Sequence, residues 1–207
     1  MELTSRLNQL TLPLMEQFYT IQGEGRYSGR AAYFIRLAGC DIGCVWCDVK
    51  ESWDKMMHPL VSVQSIIDHV KEIPTDFIVI TGGEPALYDL NLLVDALHAL
   101  GFEIAIETSG VYPLKGNVNW YCFSPKKFKK ACDEAYLRAN ELKVVIYHPS
   151  DLDWAEEHAS KVGADCILYL QPEWSKAESM NPILVDYIKL NPHWRLSLQT
   201  HKYLNIP

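Results

Sequence analysis

From residue 15 onward, short runs rich in β-branched and aromatic residues alternate with amphipathic stretches, and this alternation restricts the chain to a few architectures. MEQFYTI (15–21), AAYFIRLAG (31–39), FIVITGG (77–83), EIAIETSG (103–110), YCFSPK (121–126), KVVIY (143–147), CILYLQP (166–172) and RLSLQT (195–200) carry the composition of strands. Between them, Val63, Ile66, Ile67 and Val70 follow a helical stripe with Ser62 as its cap. Leu93, Val94, Leu97 and Leu100 do the same, with Gly101 as a stop. Further helices are expected near 131–139, 153–163 and 178–190. Strands separated by helices imply βα units, a parallel sheet and right-handed crossovers. About six such units fit either an open doubly wound sheet or a partial barrel.

The polar residues choose between these. The cysteine-bearing loop (39–60), TGGEP, ETSG, SPK, QPEW and QTHK each follow the carboxyl end of a predicted strand. A doubly wound sheet gathers its ligand contacts at one crevice, whereas a barrel gathers them from nearly every strand on one face. The sequence therefore predicts an α/β chain, one domain over 1–207, built as a partial, modified (β/α) TIM-type barrel.

The 207 residues suffice for one full core, and 48% apolar with 22% charged residues is ordinary for a globular protein. A net charge of −7 argues against nucleic acid, whose binding needs a basic surface. MELTSRLNQLTLPLMEQF has no continuous apolar segment, so neither a secretory signal nor a membrane span is expected, and the cytoplasm is the expected location. One basic run, SPKKFKK (124–130), reads either as a solvated lysine face or as a site for a carboxylate or phosphate.

Six cysteines in such a chain point to metal or redox chemistry rather than to disulfides. Cys122, Cys132 and Cys166 stand alone in apolar stretches and read as core. Cys40, Cys44 and Cys47 form C-x3-C-x2-C. Zinc would need a fourth ligand, for which His58 is nearest. A redox pair of Cys44 and Cys47 would leave Cys40 idle. An iron–sulfur cluster held by three thiolates keeps one iron open, and a small molecule with an amine and a carboxylate can chelate it, as S-adenosylmethionine does.

Cys40-Asp-Ile-Gly-Cys44-Val-Trp46-Cys47 resembles the signature of the radical S-adenosylmethionine superfamily, and TGGEP (81–85) resembles its glycine-rich segment. IQGEG (21–25), WCD (46–48), ETSG (107–110), SPK (124–126), QP (171–172) and the final QTHKYLNIP are similar to the 7-carboxy-7-deazaguanine synthase family, from about residue 15 to the end. The resemblance implies a 4Fe–4S cluster, S-adenosylmethionine and Mg2+, an electron donor such as flavodoxin or ferredoxin, and a homodimer. It also implies conversion of 6-carboxy-5,6,7,8-tetrahydropterin to 7-carboxy-7-deazaguanine with loss of ammonia, the cofactor serving as a regenerated source of a hydrogen-abstracting radical. A glycyl-radical-enzyme activase, which shares the cysteine spacing, is the competing enzyme reading, and a zinc-stabilised binding module is the competing non-enzyme.

By the same resemblance Cys40, Cys44 and Cys47 hold the cluster, while Trp46, Asp48, Gly83, Ser109, Ser124, Pro125, Lys126, Gln171 and Pro172 serve the cofactor. Lys126 and Ser124 suit its carboxylate. Ile21, Gln22, Gly23, Arg36, Thr81, Glu107, His201 and Pro207 serve the substrate. Arg36 can fork onto a carboxylate, and Glu107 can accept from a guanidine-like edge or serve the cofactor instead. Pro207 would present its terminal carboxylate, so an extension past it should weaken substrate binding. The family's magnesium-holding threonine is replaced here by Val49, which leaves the substrate carboxylate, water and Asp48 as oxygen sources, or a weak dependence.

Overall fold

The computed structural model describes residues 2–207. Its centre is one nine-stranded sheet. The strands are β1 (Thr11–Ile21), β2 (Ala31–Leu37), β3 (Leu60–Ser62), β4 (Phe77–Gly82), β5 (Glu103–Thr108), β6 (Trp120–Phe123), β7 (Glu141–Ile146), β8 (Ile167–Pro172) and β9 (Trp194–Leu196). They lie in the order β3-β1-β2-β4-β5-β6-β7-β8-β9. From β2 onward every neighbour is parallel, while β1 is antiparallel to both β2 and β3. After β2, each new parallel strand is added beside the last with no reversal. The strand order thus lacks the switch point of a doubly wound sheet and keeps all the carboxyl ends on one rim, as in a barrel.

The sheet does not close, since β3 and β9 remain its edges. Loops span the gap instead. Thr200 donates its amide (3.0 Å) and its hydroxyl (2.9 Å) to the Gly23 carbonyl, and the Gly25 amide donates to Ser197 Oγ at 3.0 Å.

The helices are α1 (Glu2–Gln9), α2 (Val63–Val70), α3 (Asn91–Ala99), α4 (Asp133–Arg138), α5 (Asp151–Ala159), α6 (Ala177–Leu190) and α7 (Thr200–Leu204). In α2 the predicted stripe Val63, Ile66, Ile67 and Val70 is buried, and Ser62 Oγ accepts from the Ser65 amide at 3.2 Å. The strand period then sorts side chains between two faces. Ile78 and Ile80 join the main core under the helices, while Phe77 and Val79 turn inward with Ala32, Phe34 and Ala105. Continuing the inward series by two residues toward the carboxyl ends gives Arg36, Thr81 and Glu107. The rim of the inner face is polar because apolar residues fill only its floor.

Residues 109–119 between β5 and β6 form a loop, where no helix is expected. The structure departs from the sequence reading in three places. The predicted strand 195–200 shrinks to Trp194–Leu196, because Gln199 and Thr200 bond to Glu24 and Gly23 and the chain turns into α7. β1 begins at Thr11, earlier than the Met15 start, and its ladder shifts register between Leu14 and Glu16. Helix α1 and the three-residue β3 carry too little pattern to be read beforehand. Cys122 is buried, and Cys132 and Cys166 pack against the core as expected. No helix among the described residues is long and apolar enough to cross a membrane.

On the helix side, His158 packs against Trp154, Tyr136 and Phe123, with Nδ1 2.9 Å from the Tyr136 hydroxyl. Burial, helped by the Lys161 ammonium, holds its pKa down at about 4. An unfolded histidine takes up its proton near pH ~6.5 whereas the fold resists protonation until far lower, so this stability is complete above that pH and drains away as pH falls. The loss by pH ~4 is roughly 3 kcal/mol. We expect the urea midpoint to drop between pH 7.5 and 5, and His158→Gln to flatten that slope; an unchanged slope would contradict the assignment.

Candidate active site

A cavity of about 360 Å³ opens at the carboxyl ends of the parallel strands. It brings together nearly every residue singled out from the sequence. Cys40, Cys44, Trp46, Cys47, Asp48 and Val49 line it from the loop after β2. Thr81 and Gly83 come from β4 and its turn, Glu107 and Ser109 from β5 and the residue after it, Ser124 and Lys126 from the segment after β6, and Gln171 and Pro172 from β8. Ile21, Gln22, Gly23, Arg36, His201 and Pro207 complete it. Pro125 is buried and is not among the lining residues, which suits a turn former rather than a contact.

The thiol loop is tied down by backbone. Gly39 N donates to Ser52 O at 2.6 Å and Cys40 N to Trp53 O at 3.1 Å. The turn after β4 docks on it, with Gly83 N on Leu37 O at 2.8 Å and Glu84 N on Gly39 O at 2.9 Å. A Cβ at Gly83 would strike the Gly39 carbonyl and come within 2.9 Å of Cys40 Cβ. The second glycine of TGGEP therefore allows the turn to touch the thiol loop.

Glu84, 1% exposed, locks this junction. Its Oε1 accepts from Thr108 Oγ1 (2.5 Å) and Ala86 N (3.0 Å), and its Oε2 from the amide (2.8 Å) and hydroxyl of Ser109. Ser109, expected at the cofactor, thus spends its hydroxyl on Glu84.

Burial pushes the Cys40 thiol up and the Cys44 thiol up to about 11. Cys122, Cys132 and Cys166 do not line the cavity. His58, the fourth ligand of the zinc reading, lies outside it with Nε2 2.8 Å from the Glu51 carbonyl. Among the described residues, no three His, Cys, Asp or Glu side chains converge as a single ion would require. Three thiols lining one cavity suit a cluster bonded through separate irons. A tetrahedral zinc needs a fourth ligand at the same centre, and His58 does not line this cavity.

The same cavity holds a charged and ordered cluster. Lys143, whose side chain is 4% exposed, bridges Glu24 Oε2 and Glu107 Oε2, the latter at 3.0 Å. Gln22 Nε2 donates to Glu107 Oε1 and Gln199 Nε2 to Glu24 Oε1, each at 2.9 Å. Burial alone would raise Glu24, but Lys143 outweighs it and holds the carboxyl at about 2. Asp48 accepts from Lys202 at 2.7 Å and Gln199 at 3.3 Å, and Lys202 likewise outweighs burial to keep its pKa low. His201 packs so closely on Gly23 that a Cβ there would overlap its ring, and burial lowers its pKa. Pro207 O accepts from Thr20 Oγ1 at 3.4 Å. Arg36 Nε is paired with Glu16 at 2.7 Å, the ordinary ion pair that an arginine in a strand invites, yet the residue still lines the cavity.

Lys126 Nζ donates to Ser124 O and Ser124 Oγ, both at 2.6 Å, and burial lowers its pKa. Of the run's lysines it alone lines this cavity. Lys127 pairs with Asp151 (2.5 Å) and Lys129 with Asp41 (2.6 Å), so those two belong to the surface. Gln171 Oε1 accepts from Ser197 Oγ at 2.7 Å, leaving its backbone and Pro172 toward the cavity. Sequence reasoning missed Glu24, Glu84, Lys143, Gln199 and Lys202. Lys143 was legible in principle, as a charged residue inside the apolar run ELKVVI (141–146).

These features define a class: a one-rimmed, open α/β barrel whose first parallel strand delivers three thiols to a polar cavity. A model of the Radical SAM superfamily matches residues 34–146. The chain is 55% identical to the 7-carboxy-7-deazaguanine synthase of Flavobacterium psychrophilum, over 95% of this chain and 93% of the relative. It is 45% identical to the enzyme of that name from Synechocystis, over 98% and 97%. A crystal structure of QueE from Escherichia coli superposes with a TM-score of 0.84 at 29% identity, covering 96% of this chain and 98% of that one. The chain therefore belongs to the radical SAM superfamily and, within it, to the 7-carboxy-7-deazaguanine synthase family.

Proposed function

We propose that this chain converts 6-carboxy-5,6,7,8-tetrahydropterin to 7-carboxy-7-deazaguanine with release of ammonia, a carbon–nitrogen lyase step of 7-deazapurine (queuosine) biosynthesis. The observation that carries the reading is the single cavity lined by three thiols together with Arg36, Glu24 and Glu107. A ligand with a carboxylate at one end and hydrogen-bond donors at the other matches that polarity.

In this reading Cys40, Cys44 and Cys47 hold a 4Fe–4S cluster that, with S-adenosylmethionine, supplies one-electron radical chemistry when loaded. Ser124 and Lys126 receive the cofactor's carboxylate, and the Gln171–Pro172 backbone flanks its nucleoside portion. Arg36 turns from Glu16 to the substrate carboxylate. Glu24 and Glu107 accept from the ring's amino edge, with Gln22, Gly23, Thr81, His201 and Pro207 around it. Holding the ring on several sides at once keeps its reacting carbon in one place and excludes water, which favours return of the same hydrogen. Val49 offers no oxygen and Asp48 is engaged by Lys202 and Gln199. Magnesium is therefore held through substrate oxygens and water. The electron comes from a flavodoxin- or ferredoxin-type donor, and the chain works as a homodimer.

The test is anaerobic reconstitution with iron and sulfide, then incubation with S-adenosylmethionine, a reductant and the carboxytetrahydropterin. Equimolar 7-carboxy-7-deazaguanine and ammonia are expected. Cofactor cleavage without pterin turnover would favour the activase reading instead, and a colourless protein holding one zinc would end both.

A further inference from the structure

Lys143 stands on β7 with almost no solvent contact, yet it lines the cavity and its ammonium lies between two carboxylates. Each carboxylate gives one oxygen to Lys143 and the other to a glutamine amide, from Gln22 for Glu107 and from Gln199 for Glu24. Gln22 cannot flip, because its Oε1 accepts the Glu24 amide at 3.0 Å. Each of the four carboxylate oxygens thus already has one donor from the protein. What the ionised pair has left for a ligand in the cavity is acceptor lone pairs alone.

We infer that Lys143 sets the ring specificity of this site, holding Glu24 and Glu107 together as a doubly ionised wall that admits only a substrate edge composed of donors. The inference rests on the pterin reading, since a 2-amino-4-oxo pyrimidine ring offers its exocyclic amine and its neighbouring ring N–H on one edge. Removing the cation leaves two carboxylates beside each other with only glutamine amides as donors, which favours proton uptake by the pair. A carboxylic acid O–H would then oppose a donor edge. Lys143 touches neither reacting atom nor cofactor in this account, and is a positioning residue.

Other charges around the pair are accounted for. His201 on α7 faces Glu24 and is kept neutral near pH ~7 by burial, on the ordinary histidine scale. Asp48 is covered by Lys202. Glu141 and Cys122 act on Lys143 from β7 and β6, Lys126 lies further along the rim, and Arg36 on β2 is paired with Glu16. None of them can replace an ammonium that contacts both carboxylates.

The probe is pterin-6-carboxylate, stable and fluorescent, titrated into reconstituted protein with S-adenosylmethionine between pH 5.5 and 7.5. In the wild type the dissociation constant should be flat across this range, and the 2-oxo analogue lumazine-6-carboxylate should bind at least 10-fold more weakly. Lys143→Met should weaken pterin-6-carboxylate about 10-fold at the acid end, recover part of that as pH rises, and narrow the preference over lumazine. Lys143→Arg, which keeps the charge, should stay flat and selective. A Lys143→Met profile that is parallel to wild type, or unchanged selectivity, would overturn the inference. Should Lys143→Met fail to fold by circular dichroism, the arginine variant and the wild-type lumazine comparison decide: loss of selectivity in the first, or none in the second, is equally fatal. Wild-type failure to turn over carboxytetrahydropterin would instead strike the functional reading itself.

Discussion

Cys44→Ala should abolish turnover outright while leaving the fold nearly as stable as before. Cys44 is buried in a loop and not in the sheet's core, so losing its sulfur removes only a small contact, on the order of 1 kcal/mol. In the proposed reading its chemical role has no substitute. Two thiolates would not anchor the cluster as three do, and Cys122, Cys132 and Cys166 do not line the cavity. Burial makes the free thiol reluctant to ionise, so in that reading bonding to iron is what would yield its thiolate. Iron per chain after anaerobic reconstitution, read beside a thermal melt of the metal-free protein, checks both halves. A variant that keeps its iron and its activity would remove the three-thiol assignment.

The second large effect is expected at Glu84. Glu84→Ala strips four buried donors of their acceptor, namely the Ala86 amide, the Thr108 hydroxyl and the amide and hydroxyl of Ser109. Unsatisfied buried donors cost about 1–3 kcal/mol each, and partial relaxation brings the expected loss to roughly 3–5 kcal/mol. That is a large share of a typical domain's stability, about 5–15 kcal/mol. Activity should fall further than stability, because the same turn carries Gly83 against Gly39 and Cys40. Urea unfolding and iron retention measure the two consequences separately. A loss below ~1 kcal/mol would mean that water reaches those donors and that the junction is not sealed.

Most of the architecture was legible because parallel strands buried on both sides must be apolar and their helices amphipathic, as FIVITG and VQSIIDHV are. The rim was legible because the polar clusters follow those strands directly. Less could be read where structure depends on distant partners. Thr200 becomes helical only because Gly23, on the far side of the sheet, accepts its hydrogen bonds, and nothing local announces that. Arg36 is a similar case: its sequence suggested both a salt bridge and a ligand contact, and the structure pairs it with Glu16 on the adjacent strand while leaving it on the cavity wall. Glu24 and Lys143 are separated by more than half the chain, and a motif read within a few residues cannot express their pairing.

The loops that join Gly23 to Thr200 and Gly25 to Ser197 give the ring a seam. A closed ladder fixes the girth of a cylinder through its strand count and stagger, whereas a handful of loop contacts lets the perimeter breathe. Ligand entry by parting this seam would disturb no strand pairing, and backbone amides along it should exchange with deuterium faster than those of the neighbouring strands.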